Sequence, residues 1–132
     1  MASIARGTFD VSLKPQSLSD VAASSGLGRL SIDKKFSGDL TGTSTGEMLS
    51  VMGTVKGSAG YVAIETVNGS LNGRAGTFSL MHTGIMDKGS PSLTVSVVPD
   101  SGTGGLTGIS GTLTIDIIEK VHHYTFTYTL PA

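Results

Sequence analysis

His122-His-Tyr-Thr-Phe-Thr-Tyr-Thr-Leu130 alternates without a break, with Tyr124, Phe126, Tyr128 and Leu130 on one side and His123, Thr125, Thr127 and Thr129 on the other. Side chains of an extended strand point to opposite faces in turn, so this stretch reads as a β-strand with one buried face. The same period of two recurs along the chain, and the helical period of 3.6 is nearly absent. Thr8 to Leu13 sets Phe9, Val11 and Leu13 on one face. Arg29 to Phe36 does the same with Leu30, Ile32 and Phe36, although Lys34 shares their phase. Leu40 to Met52 is a long strand of small residues whose phase stays open. Gly60 to Val67, Gly73 to Met86, Ser92 to Val98 and Gly111 to Ile118 complete a set of eight.

Turn chemistry separates these runs. Asn68-Gly69 and Asn72-Gly73 are strong turn dipeptides, and Gly38-Asp39, Lys88-Gly-Ser-Pro91 and Pro99-Asp-Ser-Gly102 are further turns. Short links favour antiparallel pairing of consecutive strands. The exception, Lys14 to Leu27, is rich in Ser and Ala and is expected to hold a short helix capped by Ser19; a loop of this length serves as the lid of a site or as plain surface. A repeat is visible: Leu71-Asn-Gly73-Arg-Ala-Gly76-Thr-Phe-Ser-Leu80 matches Leu106-Thr-Gly108-Ile-Ser-Gly111-Thr-Leu-Thr-Ile115, with a weaker echo at Leu40-Thr-Gly42. Each copy reads as a leucine plugging one end of the sheet, followed by a glycine corner and a strand. Eight antiparallel strands leave two edges to hide, and closing an up-and-down barrel removes both; a two-sheet sandwich is the alternative.

Composition narrows the function. The chain has 132 residues, 9 Lys+Arg against 10 Asp+Glu, and 14% charged residues, which fits one domain over 1–132 and excludes a basic nucleic-acid binder. With 38% hydrophobic residues the many Gly, Ser and Thr do not read as disorder. Cysteine is absent, so there is no disulfide framework or thiolate metal site. The first residues carry no apolar signal segment and no run approaches the ~20 residues of a membrane helix, so a cytoplasmic protein without membrane contact is expected.

The run Asp100-Ser-Gly-Thr-Gly-Gly-Leu-Thr-Gly-Ile-Ser-Gly-Thr-Leu113 resembles the glycine-rich loop and following strand of plant allene oxide cyclases and dirigent proteins. More closely, the chain resembles a bacterial family catalogued only as a domain of unknown function. The matching segments are Gly28 to Lys34, Gly46 to Leu49, Gly57 to Glu65, His82 to Gly84, Pro91 to Leu113 and Tyr124 to Leu130. The resemblance implies an allene-oxide-cyclase-like eight-stranded barrel that self-associates. The cyclases close a ring on a fatty-acid epoxide inside the barrel. Their pocket cysteine has no counterpart here, and no catalytic residue carries over.

Glu47, Glu65 and His82 are the polar side chains inside expected strands that could form a site. Glu65 shares its phase with Tyr61, Ala63 and Val67, and His82 with Phe78 and Leu80. Facing inward, they would line an apolar cavity where burial raises a carboxyl pKa and lowers that of an imidazole. Facing outward, Glu65 is a surface residue and His82 a rim histidine; the phase of Glu47 is open. Tyr61, Tyr124 and Tyr128 could offer hydroxyls to a ligand. Lys34-Lys35 reads as a solvated edge. His122 and His123, adjacent on a strand, point to opposite faces and cannot share a metal, so no metal is expected. Gly102-Thr-Gly104 does not continue as a dinucleotide motif, so no cofactor is expected either. The leading reading is a barrel that binds a small apolar or amphipathic ligand. The alternatives are an isomerase or cyclase acting on a reactive apolar substrate, and a structural module with a filled interior.

Overall fold

The structure, a computed structural model, describes residues 2–131. Eight antiparallel strands follow one another in chain order: β1 (Ser3–Pro15), β2 (Gly28–Gly38), β3 (Leu40–Met52), β4 (Ala59–Leu71), β5 (Arg74–Asp87), β6 (Ser90–Val97), β7 (Ser110–Ile118) and β8 (Val121–Thr129). β8 pairs back with β1, from Ser3 opposite Tyr128 to Phe9 opposite His122, and the sheet closes into the expected barrel. Among the described residues no helix is long and apolar enough to cross a membrane.

Two local expectations are corrected, and one turn was not foreseen. No helix forms between β1 and β2; Ala22 N–H donates to Ser19 O (3.0 Å) and Ser25 N–H to Ala22 O (3.0 Å), which makes isolated turns. Ser24-Ser25-Gly26 follows the two alanines too soon for a helix to propagate. Asn68-Gly69 is not a turn but runs inside β4, opposite Thr43 and Gly42 on β3. Gly42 and Gly69 face each other there, and a methyl on Gly42 would lie 2.6 Å from Gly69 Cα, so the pair permits a close backbone approach. A turn without glycine was not foreseen. Glu119 and Lys120, with φ of 50° and 67°, link β7 to β8. Asn72-Gly73, with φ of 48° and 87°, is the expected tight hairpin.

The two ends of the barrel differ. At one end lie the β2–β3 and β4–β5 turns and the long β6–β7 connection, which carries a single 3-10 turn, Gly104–Leu106. The three leucines of the sequence repeat, Leu40, Leu71 and Leu106, are all fully buried in this end. Phe126 stacks between Phe78 (5.6 Å between ring centres) and Tyr128 (5.3 Å). Tyr124 Oη accepts a hydrogen bond from Leu40 N–H (2.9 Å) and donates to Ser37 O (2.9 Å), while Asn72 Nδ2 donates to Tyr128 Oη (2.7 Å). This end is closed by packed rings and by hydroxyls committed to the turns.

At the opposite end the inward-facing phase is not sealed. Leu13, Met86, Leu93 and Ile117 belong to that phase yet are 47, 39, 43 and 66% exposed, and Val11, Leu30, Met48, Tyr61, Ile115 and His122 are partly buried. The apolar face of the strands therefore continues past the packed core into an open mouth.

Candidate functional site

Between the closed end and the mouth, four consecutive strands each turn a polar side chain inward. β2 supplies Lys34, β3 Ser44, β4 Glu65 and β5 His82, and all four are buried. Lys34 stands opposite Ser44, and His82 opposite Ala63, two residues from Glu65 on the same face. Gly46 is the residue facing Glu65, and a methyl there would lie 2.7 Å from Glu65 Cα. The missing side chain on β3 leaves room for the carboxylate.

Glu65 is the hub. Its Oε1 accepts from Ser44 Oγ (2.7 Å), and its Oε2 accepts from Lys34 Nζ (2.7 Å) and His82 Nε2 (2.5 Å). Lys34 Nζ also lies 4.6 Å from the centre of the Phe9 ring, so its charge meets a carboxylate and an aromatic face. Burial alone would push the Glu65 carboxyl up. The hydrogen bond from His82 and the charge and hydrogen bond of Lys34 outweigh it, and the pKa is held down to about 2. The upward shift expected from burial is thereby corrected, because the buried carboxylate has two partners. Burial and the nearby Glu65 charge raise the Tyr61 hydroxyl pKa.

An ionised carboxylate oxygen can only accept, which assigns the tautomer of His82 in its neutral form. Nε2 carries the proton toward Glu65, and Nδ1 keeps a lone pair. Among the described residues no sealed side-chain nitrogen or oxygen lacks a partner, and Nδ1 bonds no protein group, so solvent reaches it. The cluster thus presents one hydrogen-bond acceptor to the barrel space. Tyr61 lies beside it, its ring over the Cα of Gly84, where a side chain on β5 would collide with it.

The folded-state pKa of Glu65 lies below its ordinary 4.5, so the stability it contributes is complete above that pH. That contribution is expected to fall away as the pH drops from about 4.5 toward 2, by roughly 3 kcal/mol in all. Urea titrations at pH 6, 4 and 3 measure the loss; a flat profile would contradict the assignment.

The other candidate residues lie elsewhere. Glu47 points outward from β3, exposed, and pairs with Arg29, whose guanidinium also donates to Ser17 O (2.6 Å). Tyr124 and Tyr128 are inward but belong to the closed end, with their hydroxyls engaged by the turns. Lys34 is interior rather than a solvated edge, and its phase with Ile32 and Phe36 was the signal for it. Ser44 left no such signal, because β3 is built of small residues. His122 is inward, with its ring 5.0 Å from that of Phe9, across the mouth from the β4–β5 wall. Among the described residues no three His, Asp or Glu side chains stand close enough to share a metal ion.

Outside the barrel, the 16–27 loop lies against the wall of β3–β5 and borders an open groove of about 870 Å³. Leu18, Ala22 and Leu27 line it from the loop, and Leu49, Val62, Ile64 and Met81 from the wall.

A family model described as a protein of unknown function, DUF3224, matches residues 5–128. The chain is also similar to a crystal structure of a protein of unknown function from that family in Shewanella oneidensis MR-1. The two are 48% identical over the whole of both chains, with a TM-score of 0.92. No curated protein matches the chain.

Proposed function

The chain belongs to the DUF3224 family, and on that premise we propose that the open end of its barrel binds a small apolar molecule through a hydrogen-bond-donating head. One observation carries this reading: His82 Nδ1, an acceptor held in place by Glu65, lies below a mouth of exposed apolar side chains. Small-molecule sites combine apolar walls with few oriented polar groups in this way. Lys34 and Glu65 offset each other's charge, so the floor suits a hydroxyl better than a carboxylate. Tyr61 supplies a second polar contact.

The same pair supports a second reading, an isomerase or cyclase. In it, Nδ1 takes a proton from an acidic C–H or O–H of the substrate, the resulting imidazolium is stabilised by Glu65, and the proton returns to another substrate atom. Glu65 would be the positioning residue, since it is fully buried.

We further propose that the barrel pairs with a second copy through β3–β5. Leu49, Val51, Val62, Ile64, Met81 and Ile85 project from that wall and are 41 to 61% exposed. Together they offer roughly 500 Å² of apolar surface, the upper range for a monomer, and two such faces approach the ~1,000 Å² of a stable interface.

Native mass spectrometry, with an organic extract of the same sample, tests both points. A co-purifying small molecule and a dimer mass are expected; a monomer would remove the proposed interface. Binding itself is tested with 1-naphthol and its methyl ether, 1-methoxynaphthalene. The naphthol is expected to bind about ten-fold tighter, one hydrogen bond's worth, and His82→Phe to erase the difference while the ether still binds. If neither probe binds, the barrel is a structural module. If His82→Phe leaves the preference intact, His82 is not the acceptor.

A further inference from the structure

Among the described residues β6 and β7 are joined at a single residue pair, Ser96 opposite Thr112. The neighbouring pairs are in register along their lengths: β5 with β6 from Leu80–Val97 to Asp87–Ser90, and β7 with β8 from Ser110–Thr129 to Ile118–Val121. Toward the mouth, β6 is therefore in register with β5 alone and β7 with β8 alone, and the wall between them is a seam without a hydrogen-bonded ladder. The inward-phase residues on its two sides, Leu93 of β6 and Ile117 of β7, are exposed although both are large and apolar. The seam reaches down to the polar cluster, since Val95, the next inward residue of β6, is opposite His82.

We infer that this seam is a subsite for the tail of an elongated apolar ligand, a long-chain alcohol in chemical class, whose hydroxyl reaches His82. The inference rests on the open end binding a ligand at His82. A closed ladder would confine such a ligand to the mouth, whereas an unpaired seam lined by Leu93, Ile115 and Ile117 lets a chain leave the site sideways between two strands. It also removes two exposed apolar side chains from water when the chain is seated.

Displacement of 1-naphthol by 1-hexanol and 1-dodecanol reads the subsite directly. The six added methylenes are expected to tighten binding by at least ~100-fold in the unmodified protein. In a Leu93→Asp/Ile117→Asp variant, changed only at exposed positions, the gap between the two alcohols is expected to shrink below ~10-fold, whatever the change in 1-naphthol affinity itself. Leu13→Asp, an inward-phase mouth residue on β1, is expected to leave the gap intact. An undiminished gap in the double variant would overturn the inference, as would an equal loss with Leu13→Asp, which would put the tail in the mouth. Absence of 1-naphthol binding in the unmodified protein would instead overturn the binding reading, and the subsite with it.

Discussion

Glu65→Gln is expected to lower stability by about 3–5 kcal/mol, on the order of 10–15 °C in Tm for a domain of this size. The volume and the Ser44 hydrogen bond survive the change. What is lost is the counter-charge of Lys34, whose amine is buried 2.7 Å from the carboxylate with aromatic rings for its other neighbours. An uncompensated buried ammonium is far costlier than a buried ion pair, so removing both charges should recover most of the loss. Lys34→Met/Glu65→Gln is accordingly expected within about 1–2 kcal/mol of the unmodified protein, a coupling that a double-mutant cycle in urea measures directly. The acid limb of the stability profile should also flatten in Glu65→Gln, because the group that titrates is gone. A loss under 1 kcal/mol for the single variant would mean that water reaches Lys34 and compensates its charge.

Phe126→Ala is expected to cost a similar 3–5 kcal/mol by a different route. Phe126 is fully buried and held between Phe78 and Tyr128, so truncation leaves a cavity at the closed end that rigid neighbouring strands cannot fill. The two variants should part company in function. Phe126→Ala is expected to bind 1-naphthol normally at temperatures where it is folded, because the closed end holds the barrel together and touches no ligand. Glu65→Gln is expected to weaken binding about ten-fold, since His82 loses the acceptor that fixes its tautomer. Isothermal titration of both variants tests the division; lost binding in Phe126→Ala would place the ligand deeper than the cluster.

The closed end was legible in the sequence. Tyr124, Phe126 and Tyr128 alternate with threonines, and the repeated Leu-x-Gly motif marked Leu40, Leu71 and Leu106 as plugs. The site was legible only in pieces. Lys34 stood out as a charge in an apolar phase, and Glu65 and His82 as polar residues within strands, but nothing local joined them. Glu65 and Lys34 are 31 positions apart and Glu65 and His82 are 17, and they meet because three strand pairings bring four strands side by side. Asn68-Gly69 shows the converse: its local turn preference is overridden by pairing on both sides with β3 and β5.

By itself the sequence determined the eight strands and, outside β3, their two faces, and it favoured closure over a sandwich, because alternation and turn chemistry act between near neighbours. Only the tertiary structure decided which face of β4 points inward, that Lys34 and His82 converge on Glu65, and that the β6–β7 ladder stays open toward the mouth. Those outcomes depend on register, where a slip of one residue exchanges the two faces, and register is settled by all the strands closing together.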